Sequence, residues 1–257
     1  MKDKGEQMKI KICNKHGPFR GEKCPVCGDE GKLMLNDWEV EALSRILTGI
    51  LRHFPENFNV KLDQHGWANI NDIAEGIKGK NKKFRFLKPY HVEAFILTDT
   101  KGRFQYDKSA GKVRATYGHS INVDLSDLPS ENIPRKLYYA IVPEEEEFIT
   151  EIGIKPGERK WVHLSDSYEE AYISGRHRTD NPIVLEIDAE KLINDGRAIY
   201  RANEKIYITK EIPPGYFIKA PIKEVEVPKE ELDQIEEEKR RRKEKERRKM
   251  EEDLGMK

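Results

Sequence analysis

Apolar residues at Leu43, Ile46, Leu47, Ile50, Leu51 and Phe54 fall three and four apart, which is the stripe that one face of a helix presents to a core. Asn36 or Asp37 can cap this helix and Pro55 ends it, so the pattern predicts a helix from about 37 to 54. Arg45 and Arg52 share the opposite face, and His53 lies at the edge of the stripe. Periodicity alone makes Arg52 a solvated charge and His53 a boundary packing residue. Residues 66–79 predict a turn and a short helix, and residues 89–99 a third helix with Pro89 in its first turn. The period then changes to two. Phe104 and Tyr106 share one face of 103–107, while Val113, Ala115 and Tyr117 share one face of 112–117, with Gly111 in the short loop between them. Three helices followed by a two-stranded hairpin form a winged-helix pattern. Lys112 and Arg114 project from the face opposite Val113 and Ala115, which makes that face cationic.

The polar stretch 129–136, with two prolines, predicts a linker, and a second pattern follows it. Strands are predicted at 137–142, 161–165 and 182–188. Helices are predicted at 143–153, at 166–175 with Gly175 closing it, and briefly at 189–196, followed by a hairpin over 198–210. Short strands interspersed with short helices indicate a mixed α+β domain. No strand–GxGxxG–helix fingerprint occurs, which argues against a Rossmann cofactor site.

At 257 residues the chain is long enough for two ordinary domains, and 37% of its residues are charged although the net charge is zero. The charges are therefore sorted by region. Residues 76–120 hold eleven Lys and Arg against three Asp and Glu, a surplus of eight that suits a phosphate backbone, where the plain alternative is a soluble basic face. From Pro228 onward nearly every residue is Glu, Lys or Arg, with Glu236, Glu237 and Glu238 four residues before Arg240, Arg241 and Arg242. That spacing supports a solvated single helix or frayed tail, with an accessory RNA contact or an oligomerisation arm as the alternative. No apolar run reaches the length of a membrane span, and three cysteines without a signal-like leader argue against a secreted disulfide framework. The expectation is a cytoplasmic protein with no membrane partner.

All three cysteines lie in CNKHGPFRGEKCPVCG, residues 13–28. Cys13 with His16, and Cys24 with Cys27, form two close pairs that can converge on one tetrahedral ion, and Gly28 suits the turn of a knuckle. Four protein ligands close the coordination sphere, so a zinc here is structural. The alternative is a set of unrelated thiols.

LSRILTGILRHFPENFNVKLDQHGWANINDI, KVRATYGHSI, KLYYAI, WVHLS, ISGRHRTDNPIVLEIDA and IYITKEIPPGYF, in this order, resemble the NAD-dependent RNA 2′-phosphotransferases that act on tRNA splice junctions, over residues of about 38 to 220. The resemblance implies an α+β chain: a zinc ribbon at 1–35, a winged-helix RNA-binding lobe at 36–128, an ADP-ribosyltransferase-like lobe at 129–227 with the active site in the cleft between the lobes, and a charged helical tail at 228–257. It implies transfer of an internal RNA 2′-phosphate to NAD⁺, releasing nicotinamide and ADP-ribose 1″,2″-cyclic phosphate. Matched to the motifs, Arg52, His53, Arg114 and Arg176 are the expected catalytic groups, the arginines as phosphate clamps. Lys112, His119 and Ser120 are expected around the RNA phosphate. Tyr138, Tyr139, His163, Leu164 and Ser165 fall in the regions that hold NAD⁺. Two departures stand out: Tyr139 replaces a family histidine, and Tyr117 stands where glutamine is common. The competing functions are an ADP-ribosyltransferase of nucleic-acid phosphate ends and a non-catalytic zinc-ribbon winged-helix RNA-binding protein.

Overall fold

The computed structural model describes residues 9–253, so the first eight residues assigned to the ribbon and the last four of the tail lie outside the described residues. Three antiparallel strands come first: β1 (Ile10–Cys13), β2 (Gly17–Arg20) and β3 (Lys32–Leu35), in the order β2-β1-β3. Ile10 and Leu35 pair across β1 and β3 and are fully buried, in the same core as the helices that follow. Helix α1 (Asp37–Arg52) begins at a reciprocal cap. The Asn36 side chain accepts from the Glu39 amide and the Glu39 carboxylate accepts from the Asn36 amide, which satisfies two otherwise orphaned donors. Four of the six stripe residues, Leu43, Leu47, Ile50 and Leu51, are at zero exposure, each contributing roughly 2 kcal/mol by burial; Ile46 is partly buried, and Phe54, expected to end the stripe, is 47% exposed because the helix stops at Arg52. Pro55 then opens a 3-10 turn.

Beyond that turn come β4 (Ala68–Asn69), α2 (Ile70–Lys80), α3 (Pro89–Leu97), β5 (Phe104–Asp107) and β6 (Lys112–Ala115). The sheet order is β4-β6-β5, which makes β6 the central strand. This corrects the two-stranded hairpin of the sequence pattern, since a strand as short as β4 carries no alternation to read. It also corrects the solvated cationic face. Lys112 is partly exposed, but Arg114 is buried. These elements form one compact unit that extends to Pro129 and also takes in Pro156–Trp161.

The second unit comprises Ser130–Lys155 and the chain from Val162 onward. Its elements are β7 (Lys136–Ile141), α4 (Glu146–Ile152), β8 (Val162–Ser165), α5 (Tyr168–Arg176), β9 (Ile183–Asp188), α6 (Ala189–Asn194), β10 (Ile199–Arg201), β11 (Ile206–Thr209) and β12 (Phe217–Lys219), followed by the long helix α7 (Lys229–Asp253). The strands make an antiparallel six-stranded sheet in the order β10-β11-β8-β7-β9-β12. Leu137, Ile141, Leu185 and Ile187 fill the core on one face, while α5 packs on the other through Tyr168 and Ala171. Gly175 does not close α5. The helix runs on through Arg176, and Gly175 is where it meets the sheet, because a Cβ there would stand 2.5 Å from Pro182 and 2.8 Å from Ala140. The charged tail is docked rather than merely solvated: Ile235 of α7 is buried, Glu238 pairs with His177 at 3.0 Å and Lys239 with Asp180 at 2.7 Å. The chain is thus a mixed α/β protein. No helix among the described residues is long and apolar enough to cross a membrane.

Candidate functional site

Two hairpin turns bring Cys13, His16, Cys24 and Cys27 together, with all four donor atoms within 4.8 Å of one another. Cys13 Sγ lies 3.6 Å from His16 Nδ1 and 3.7 Å from Cys27 Sγ, and Cys24 Sγ lies 3.5 Å from His16 Nδ1. A regular tetrahedron with ligand bonds of about 2.3 Å has edges of about 3.8 Å, so the donors already stand at the vertices of a metal site. Backbone amides of Lys15 and His16 point at the Cys13 sulfur, and those of Val26 and Cys27 at the Cys24 sulfur. Amide donors of this kind stabilise thiolate ligands. Gly28 takes the left-handed conformation, φ 77°, that the second turn needs. The cluster can hold a metal ion.

At the other end of α1 stands a group with different chemistry. Arg52 is buried, and its guanidinium lies 4.5 Å above the Tyr117 ring. Its Nε and Nη2 have no hydrogen-bond partner among the described residues. Burial, with the charges of Arg159 and Arg103 behind it, pushes this guanidinium below its ordinary pKa, against a pull from Tyr117. The end of the helix therefore holds a desolvated cation with two buried donors that no group among the described residues satisfies. The GHS segment wraps around it. Ser120 donates its amide to the Arg52 carbonyl at 3.0 Å, and its hydroxyl hydrogen-bonds His53 Nδ1 at 2.9 Å. Gly118 has φ 84°, and a Cβ at that position would sit 3.0 Å from Arg52 Nη1, so only glycine lets the backbone pass so close. His53 is held below its ordinary pKa by partial burial and by Arg52 and Arg159.

His119 lies deeper. Both ring nitrogens are buried without a partner among the described residues, and burial, with Arg52, His53 and Arg114 nearby, pushes its pKa down to about 4. It is neutral at neutral pH. Arg114, by contrast, has protein acceptors: Nε donates to Gln105 Oε1 at 2.8 Å, Nη1 donates to Asp127 at 2.8 and 2.9 Å, and the Trp67 ring lies 4.6 Å away. Lys112 reaches Asp63 at 3.4 Å. The structure thus brings Arg52, His53, His119 and Ser120 together, and places Arg114 and Lys112 in a neighbouring carboxylate-bearing cluster that His119 adjoins.

The remaining predicted residues belong to the second unit. The pairing of Tyr138 with Glu186 and Ser165, and of Ala140 with Val184, puts Tyr138, His163 and Ser165 on the sheet face that carries α5. Tyr139 and Leu164 point the other way, into the apolar core, because adjacent strand residues alternate. Arg176 ends α5 one residue beyond the Gly175 contact with Ala140; its Nη1 donates to the Asp180 carbonyl at 2.6 Å, while Nε is buried without a partner among the described residues. Asp166 Oδ1, next to Ser165, is a buried acceptor in the same condition.

Sequence reasoning missed Arg103, Arg159 and Asp166. Arg159 lies in a polar loop between α4 and β8, and it comes near Arg52 because Lys160 donates its amide to the His119 carbonyl at 3.1 Å. No period announces such a loop. Arg103 was legible as a cation at the head of a strand, but not its bidentate pairing to Asp99 or its bond to Ser44 on α1.

Residues 38–211 match the family described as RNA 2′-phosphotransferase, Tpt1 / KptA family. A protein of Thermoplasma acidophilum named "Probable RNA 2′-phosphotransferase" is 45% identical over 216 residues, covering 84% of this chain and 91% of that protein. One of the same name from Thermoplasma volcanium is 41% identical over 220 residues, 86% of this chain and 92% of its own. "Probable RNA 2′-phosphotransferase 1" of Archaeoglobus fulgidus is 42% identical over 207 residues, 80% and 93% respectively. With the match covering well over half of the chain, this protein belongs to the RNA 2′-phosphotransferase family.

Proposed function

We propose that this protein removes an internal 2′-phosphate from RNA of the tRNA splice-junction type by transferring it to NAD⁺. The observation that carries this reading is Arg52: a buried guanidinium with unsatisfied donors, ringed by His53, Ser120 and two further arginines, in a chain of this family. The first unit, helices with a small β wing, acts as the winged-helix RNA lobe, and the second acts as the ADP-ribosyltransferase-like lobe. NAD⁺ supplies the electrophilic ribose carbon that the RNA 2′-phosphate attacks, with nicotinamide leaving and ADP-ribose 1″,2″-cyclic phosphate as the final product.

The chain's own residues bind and orient. Arg52 takes phosphate oxygens through Nε and Nη2, a geometry in which guanidinium is bidentate and stays charged throughout. Arg159, exposed on its loop, adds a second cation from the solvent side, and Arg103 adds field without leaving Asp99. His53, fixed by Ser120, hydrogen-bonds the phosphate or the reacting ribose. In this proposal Arg114, with Nε on Gln105 and Nη1 on Asp127, braces the wall of the pocket and keeps Nη2 for a phosphate oxygen, and His119 fills the space between the two arginines as a neutral ring. Lys112 contributes long-range charge at the rim. Arg176, Tyr138, His163 and Ser165 line the NAD⁺ face, with Asp166 as acceptor for a ribose hydroxyl. Tyr139 and Leu164 support that face from the core side. Zinc is the ion that three thiolates and an imidazole at tetrahedral spacing favour, and its role is to order the ribbon.

The test is to incubate the protein with an RNA carrying one internal 2′-phosphate, with and without NAD⁺, and to identify the products by mass. The reading expects dephosphorylated RNA together with ADP-ribose cyclic phosphate. An ADP-ribosylated RNA end as the sole product assigns the protein to phosphate-end modification instead, and RNA bound but unchanged makes it a binding module.

A further inference from the structure

We propose that an aromatic row on the first unit is a stacking platform for single-stranded RNA that flanks the 2′-phosphate. The proposal rests on the reading of this protein as an RNA enzyme and adds a second contact to it. Trp38, at the start of α1, stacks on Phe84 with centroids 5.8 Å apart and planes at 21°. Phe84 meets Phe86 at 6.0 Å, Phe86 meets His91 edge-on at 5.5 Å, and His91 lies 4.2 Å from Tyr90. Five rings thus form one continuous row. Phe84 and His91 are buried and anchor it, and the Lys88 amide donates to His91 Nδ1 at 3.0 Å, which fixes that ring. The other three are not: Trp38 is 42% exposed, Phe86 40% and Tyr90 49%. Single exposed aromatics are ordinary on a protein surface, but three on a rigid row are a recognition feature.

The charge around the row selects the partner. Residues 76–92 contain six Lys and Arg and no Asp or Glu. Lys82, Lys83, Arg85 and Lys88 are exposed between the aromatic positions, and Lys83 Nζ lies 4.9 Å from the centre of the Trp38 ring. Cations that follow a backbone and rings that take bases are the two halves of a single-strand site, and stacking tolerates any base because each has a π face. A protein partner would need the same surface to meet an acidic aromatic face. A duplex offers no free bases to stack.

The distance to the phosphate site is set by one helix. Trp38 and Arg52 lie fourteen residues apart on α1, an unbroken helix, which is about 21 Å of rise. A stacked strand advances about 3.4 Å per nucleotide, so the platform engages bases about six nucleotides from the modified one. Short substrates do not reach it.

The experiment measures binding of two RNA lengths, with about two and about ten nucleotides on each side of the central position, to the wild-type protein and to the Phe86→Ala/Tyr90→Ala variant, by fluorescence anisotropy at fixed salt. Both RNAs are used with and without the 2′-phosphate. The expected result is that the variant binds the long RNA at least tenfold more weakly, on the order of one lost base stack or more, while its affinity for the short RNA is unchanged. Intrinsic tryptophan emission should be quenched by the long RNA and lose that response in Trp38→Phe, which keeps an apolar ring over Phe84. Equal weakening for both lengths, or unchanged affinity for the long RNA with the variant folded, overturns the platform; the second result would leave the row to a protein partner. The arm without 2′-phosphate separates the two hypotheses. Length-dependent binding there holds even if no phosphate is ever removed, whereas dephosphorylation of the short RNA without a length effect retains the enzyme and removes the platform.

Discussion

Gly118→Ala tests the phosphate grip at the point where backbone and cation are closest. Gly118 has φ 84°, and the added methyl would lie 3.0 Å from Arg52 Nη1 and 3.2 Å from its Cζ. The substitution therefore has two separable costs. Left-handed backbone costs an alanine roughly 1–2 kcal/mol, which appears as lowered stability. The contact adds a displacement of the guanidinium by about half an ångström, and since a misplacement of 1 Å can cost about 100-fold in rate, about tenfold is expected here. Gly215→Ala supplies the control: its φ is 85°, and no atom lies within 4 Å of the added methyl. Both variants should lose similar stability in a denaturant titration. Only Gly118→Ala should lose about tenfold in the rate of 2′-phosphate removal at saturating RNA, with binding of the phosphate-free RNA unaffected. If the two variants melt alike and turn over alike, Arg52 does not act from the position the structure gives it.

His119 predicts a pH dependence of stability. Its folded pKa of about 4 lies below the ordinary 6.5, so the neutral ring favours the fold; that contribution is complete above pH 6.5 and is lost as pH falls towards 4, up to about 3 kcal/mol. Urea midpoints measured across that range should flatten in His119→Asn, and an unchanged slope would assign the acid sensitivity to other groups. Replacing Cys24 and Cys27 by serine should abolish a one-to-one zinc content read by mass spectrometry. Because Ile10 and Leu35 share the core of the first unit, it should also destabilise that unit by about 4 kcal/mol when the metal stands near a thousandfold above its dissociation constant. In the second unit, Gly175→Ala should lower the melting temperature although alanine favours helix by about 1 kcal/mol, because overpacking against Pro182 and Ala140 costs about 1–3 kcal/mol. A stabilised variant would mean that α5 can move away from the sheet.

What was legible in the sequence was whatever a local period or a fixed spacing encodes. The α1 stripe, its Asn36 cap and the two cysteine knuckles all arise within a few residues and stand where the spacing puts them, except that α1 stops at Arg52, before Pro55 is reached, and leaves Phe54 exposed. The strand β4 was illegible because two residues have no alternation, and its presence turned β6 from a hairpin arm into a central strand, while Gln105, Trp67 and Asp127 cover Arg114. Gly175 misled for a related reason: glycine ends helices and also permits close packing, and only the tertiary partners Pro182 and Ala140 decide between the two. The tail looked too polar to pack, yet one buried isoleucine and two ion pairs suffice to dock the first turns of α7.

The arginines illustrate why residue type alone cannot designate a phosphate site. Arg103 and Arg114 have carboxylate acceptors supplied by the protein, from Asp99 and from Asp127, the latter joined by Gln105, while Arg176 gives Nη1 to the Asp180 carbonyl and keeps a buried Nε without a partner among the described residues. A cation paired with a carboxylate has already recovered much of its desolvation energy. Arg52 is buried beside an aromatic ring, with like charges nearby and no carboxylate among the described residues to offset them. The fold holds it at a cost of several kcal/mol, which in the proposed function the substrate phosphate returns. Under the proposed function, that asymmetry concentrates anion affinity at one point, next to the histidine fixed by Ser120. It also implies a direction of change: Arg52→Met should stabilise the folded protein while abolishing phosphate binding, whereas Arg114→Met, which gives up the charge-assisted bonds to Asp127 and Gln105, should destabilise it.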